Sequence, residues 1–125
     1  MSDQCRLFDA GPDPFGRMWK VQFRWLQTAI SIRHADAVDV KFLITPDGGE
    51  QEEKIIALPH PALLSVTTKS GRKLSDPLCL RLAALYLRHM IETSEDMDKT
   101  LVTLSLKDID ACDQHLHGVT VPGNR

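Results

Sequence analysis

Cysteine is scarce in this chain: Cys5, Cys79 and Cys112 are the only three in 125 residues. An odd number at irregular spacing excludes a disulfide framework and a zinc-knuckle array. Thiols without a framework point to a reducing compartment, so the cytoplasm is the expected location. Long apolar runs are lacking too. Nothing approaches the roughly 18 residues of a membrane span. The N-terminal apolar stretch at Leu7 and Phe8 is broken by Arg6 and Asp9, which leaves no signal-peptide core. No association with a membrane is expected. No charge of one sign dominates: 15 Lys and Arg stand against 17 Asp and Glu, a net charge of −2 with the histidines neutral. That balance disfavours nucleic acid as a partner. Internal repeats and low-complexity stretches are also missing.

What is present is an ordinary globular composition, 42% hydrophobic and 26% charged. A chain of this length fits one domain and needs no metal or disulfide to fold. The expected layout is an N-terminal arm over residues 1–16, a single α+β domain over 17–117 and a C-terminal tail over 118–125. The arm is inferred from Gly11, Pro12, Asp13, Pro14 and Gly16, which punctuate any regular element.

The first half of the domain alternates with a period of two. Trp19, Val21, Phe23 and Trp25 are odd-numbered and predict one buried strand face, with Lys20, Gln22 and Arg24 opposite. Ile30 and Ile32 are even-numbered, so the phase slips, and a bulge or turn is expected near residues 26–28. Val38, Val40, Phe42 and Ile44 predict a second strand, Pro46-Asp47-Gly48-Gly49 a reversal, and residues 54–58 a return strand. The second half reads as helices. Pro61 and Gly71 bracket a short one over 61–70. Ser75 or Asp76 caps a longer one that Pro77 opens and that ends near Thr93. A last strand is expected at 101–106 and an acidic helix at 107–117, stopped by Gly118. The fold class is therefore α+β: an antiparallel β-meander of three to five strands packed against two or three helices.

The long helix carries an apolar arc of about two-thirds of its circumference, where a surface helix needs about one-third. Central burial explains such an arc. So does a homodimer, and Leu80, Leu87 and Ile91 are then the interface candidates.

Chemistry-bearing motifs are sparse. There is no nucleophile elbow, no HExxH, no dinucleotide fingerprint and no P-loop. Arg33-His34 at a strand end resembles the Arg-His-Gly motif of histidine phosphatases over two or three residues. Ala35 stands where that motif has glycine, and the meander does not match that family's α/β fold. Cys112, His115 and His117 are metal-ligand types. Cys112 and His115 share a helix face and His117 does not, so no metal or other cofactor is expected. Lys69, Arg72 and Lys73 surround Gly71 beside a helix start, an arrangement able to hold an anion. Asp76 at the same start opposes it. His60 and His89 read as a turn residue and a half-buried side chain.

The expected function is accordingly a non-enzymatic interaction or accessory domain that self-associates, with itself or another protein as partner. A weak nucleic-acid or phosphate-ligand binder and a small enzyme with a pocket between sheet and helices are the alternatives.

Overall fold

Residues 7–29, 37–71 and 73–120 are described by the computed structural model. They form β1 (Leu7–Ala10), β2 (Trp19–Ala29), β3 (Ala37–Pro46), β4 (Glu52–Pro59), α1 (His60–Ser70), α2 (Asp76–Thr93), β5 (Leu101–Thr103) and α3 (Leu106–Thr120). The strands make one sheet in the order β1-β2-β3-β4-β5. Neighbours run antiparallel except β4 and β5, which are parallel. The expected α+β class and meander are what the chain adopts. Residues 30–36, with Arg33 and His34, lie outside the described residues, as do Cys5 and Arg72.

Alternation in β3 sets the two faces of the sheet. Val38, Val40, Phe42 and Ile44 are buried, while Asp39, Lys41, Leu43 and Thr45 are half-buried on the other side. Gly49 N–H donates to the Pro46 carbonyl at 2.9 Å, closing the reversal into β4. The phase slip of β2 lies at Arg24, earlier than the sequence placed it. Phe23 pairs with Phe42 and Trp25 with Lys41, so Arg24 is the extra residue of a bulge. Leu26 therefore joins the buried face opposite Val40. Trp25, expected inside, stands on the outer face.

The segment read as an arm supplies β1. Its return to β2 is organised by Asp13, whose carboxylate is buried at the end of the sheet. Oδ1 accepts from the backbone N–H groups of Phe15 and Arg17, both at 2.9 Å. Oδ2 accepts from Arg17 Nε and Trp19 Nε1, both at 3.0 Å. Gly11 is required here. Its φ is +124°, and a Cβ at that position would lie 2.9 Å from the Arg17 carbonyl oxygen.

The described helices pack on the inner face. α1 carries a proline in its first turn and ends on Gly71 at φ 76°, as its punctuation predicted. α2 is capped by Ser75, whose Oγ accepts from Leu78 N–H at 3.3 Å. Its broad apolar arc is buried within the chain, against the sheet on one side and α3 on the other. β5 is shorter than the expected strand. Leu106 belongs to α3 and is exposed. That helix begins with reciprocal bonds between Ser105 and Asp108, each 3.1 Å, a capping box. Gly118 does not stop it, since a helical glycine costs only about 1 kcal/mol, and the helix extends to Thr120 into the expected tail.

One charge lies on the inner face. Lys54 is 2% exposed, and its Nζ donates to the carbonyls of Met97 and Lys99, both at 2.6 Å. Burial pulls its pKa down, and the carboxylates of Glu52 and Asp98 partly restore it. The ammonium thus ties the loop between α2 and β5 to the sheet.

Candidate functional site

The three interface candidates on the long helix are core residues. Leu87 and Ile91 have no exposed surface and Leu80 is 6% exposed. The wide arc that singled them out is the signature of a central helix, covered on both sides by its own chain.

Among the described residues no helix packs on the outer face of the sheet, where Ala57 is nonetheless 6% exposed. The residues of this face form cross-strand rows: Leu7, Gln22, Leu43 and Glu53; then Trp25, Lys41, Ile55 and Leu101. Asp9, Lys20 and Thr45 precede these rows, and Gln27, Asp39, Ala57 and Thr103 follow them. A solvated face normally alternates to polar side chains. This one presents half-buried Trp25, Leu43 and Ile55 beside the strongly exposed Leu7 and Leu101. Lys41 holds the centre. Its Nζ lies 5.6 Å from the Trp25 ring centroid and 2.9 Å from Glu53 Oε1. The sequence concealed this face because the bulge at Arg24 decides which way Trp25 points, and no local period marks a bulge.

Of the basic loop, Arg72 lies outside the described residues. Lys69 Nζ is 3.4 Å from both carboxylate oxygens of Asp110, so its charge is already matched. Lys73 is exposed.

A second concave feature lies between α2 and α3. Tyr86, His89 and Glu92 face Asp108, Cys112 and His115 across a cleft of about 300 Å³. The sequence paired Cys112 with His115 and singled out His89 apart from them, and helix packing brings the three to one place. Among the described residues, no group of three or more His, Cys, Asp or Glu converges in metal-binding geometry. Cys112 is 9% exposed, and burial, then the nearby Asp108, pushes its thiol up to about 11. A thiol held protonated in this way is not a nucleophile at neutral pH. His89 Nε2 lies 3.2 Å from Glu95 Oε1. His60 opens α1 and is half-buried.

No helix among the described residues is long and apolar enough to cross a membrane. Comparison with protein families, with curated proteins and with solved structures finds no match for this chain.

Proposed function

We propose that this chain is a non-enzymatic interaction domain that self-associates through the outer face of its sheet. The observation carrying this reading is the row of Trp25, Lys41, Ile55 and Leu101, on a sheet face where none of the described helices packs. Aromatic and aliphatic side chains clustered on a flat surface favour association when a partner removes them from water. The charges on the face argue for the kind of partner. Asp9, Asp39 and Glu53 stand with Lys20 and Lys41, a mixture that complements a second copy better than a polyanion. The phosphate-binding alternative has less support, because Lys69 is paired and the half-buried Trp25 indole is flanked by acid as well as base.

Sedimentation velocity over a range of concentrations tests the proposal. The wild-type chain should show a mass that falls on dilution. Trp25→Glu should remain monomeric with its far-ultraviolet circular dichroism unchanged, because Trp25 lies outside the core. A wild-type chain that stays monomeric at every concentration removes the reading.

A further inference from the structure

The cleft between α2 and α3 has the lining of a site for a small organic cation. Its floor is apolar, made by Leu85, Ala111 and the ring of Tyr86. Tyr86 is only 9% exposed, and its ring centroid lies 5.8 Å from that of His89. Its neighbours create a negative field. Burial, followed by the carboxylates of Asp108, Asp96 and Glu95, pushes the phenol up to about 12. It therefore stays protonated, with a neutral, electron-rich ring.

The rim carries Glu92 and Asp108 together with Arg88, and His89 and His115 complete its polar lining. Glu92 makes no ion pair or hydrogen bond among the described residues, and α2 has no basic residue in its last turn to offset the carbonyl end of the helix. Asp108 spends one oxygen on the Ser105 N–H at 3.1 Å and retains the other. Arg88 and His89 make contacts of their own. Arg88 Nη2 donates to the Asp9 carbonyl at 3.3 Å, and its guanidinium sits 5.5 Å from the Phe8 ring centroid. His89 is turned to Glu95.

We propose that this cleft binds an organic ammonium or guanidinium group carried on a short aliphatic stem. The stem lies on Leu85 and Ala111, the cation sits against the Tyr86 ring, and Glu92 and Asp108 match its charge. A volume of about 300 Å³ is ample for a group of this size. The same chemistry is offered by a free alkylamine and by a lysine side chain of a partner protein. This inference is independent of the outer sheet face.

The probes are butylammonium, Nα-acetyl-lysine N-methylamide and the uncharged 1-butanol, titrated into the ¹⁵N-labelled full chain and followed by amide and indole chemical shifts. The site predicts saturable shifts around Leu85, Glu92 and Ala111 with both amines and none with 1-butanol. Glu92→Gln, an exposed and fold-neutral change, should weaken amine binding at least tenfold, and Tyr86→Phe should weaken it less. Tighter binding of butylammonium identifies a free amine as the ligand, and tighter binding of the capped lysine identifies a protein side chain. Shifts that never saturate, equal binding of 1-butanol, or an affinity indifferent to Glu92→Gln each overturn the proposal.

Discussion

Asp13 shows how one side chain can determine a whole connection. Burial by itself raises a carboxyl pKa. Here the indole N–H of Trp19, the backbone and side-chain N–H groups of Arg17 and the backbone N–H of Phe15 outweigh it and hold the group at about 2, against an ordinary 3.8. A depressed acid contributes stability above its unfolded pKa and loses it as the pH falls through the folded one. The contribution of Asp13 is therefore complete above pH 3.8 and disappears toward pH 2. In Asp13→Asn an amide NH₂ group must face the donors of Arg17 and Trp19. Thermal melts should show the variant below the wild type at pH 6, with the gap closing as the solution is acidified from pH 4 to pH 2. A gap that stays constant with pH would show that the charge is not what matters. Lys54 is the corresponding cation. Lys54→Met keeps the stem but leaves the Met97 and Lys99 carbonyls without their donor. Bonds from a charged group of this kind are each worth about 2 kcal/mol, and urea unfolding should register a loss of at least that order. Amide exchange should rise first across residues 94–100.

At the scale of elements, the bulge in β2 makes a counter-intuitive prediction. Deleting Arg24 removes the extra residue and leaves Phe23 inside, Trp25 outside and Leu26 inside, an unbroken alternation against Phe42, Lys41 and Val40. The deletion should fold, with stability within about 1 kcal/mol of wild type by denaturant titration, because no side chain changes face. Deleting Gln22 instead carries Phe23 outward and sets Arg24 opposite Phe42, inside the core. That variant should not fold. The contrast also explains what the sequence could and could not reveal. β3 was legible because its faces differ at every step, and α2 because Ser75 and Pro77 mark its start. The slip in β2 was legible as a slip. Its position was not, because a tryptophan fits either face and was assigned to the core. β1 was hidden behind two glycines and two prolines that turn out to serve the connection after it. The four-residue step from Val102 to Leu106 suits a strand and a helix start equally well. As for the sites, Cys112 and His115 were visible as a pair and His89 by itself. Their meeting with Tyr86 and Glu92 depends on how α2 packs against α3, which no local pattern encodes. For α2 the packing is decisive, and Leu87→Ala should cost about 2–5 kcal/mol, as other large-to-small changes at fully buried leucines do. The same unfolding titration measures it.

Across the whole molecule, one apolar cluster runs from Ala10 and Trp19 at the start of the sheet to Ile109 and Cys112 on the last helix. Such continuity leaves no seam along which the described residues would open in halves, so unfolding should be a single cooperative event. The two buried thiols report on it. Cys79 on α2 is 2% exposed, and burial, with Asp76 adding to it, pushes its pKa up to about 11; Cys112 on α3 is likewise pushed up to about 11. At pH 8 a thiol of that pKa is about one part in a thousand thiolate, so native labelling by an aromatic disulfide reagent is suppressed by chemistry as well as by access. Labelling must then wait for opening. With Cys5 replaced by serine and one further cysteine removed at a time, Cys79 and Cys112 should react at rates that rise together with urea, along the slope of global unfolding. A Cys112 that reacts much faster than Cys79, with a shallow urea dependence, would mean that α3 separates from the sheet by itself. In that case the cleft it forms with α2 would be an opening joint and not a fixed part of the core, and the geometry there would hold only while the helix is docked.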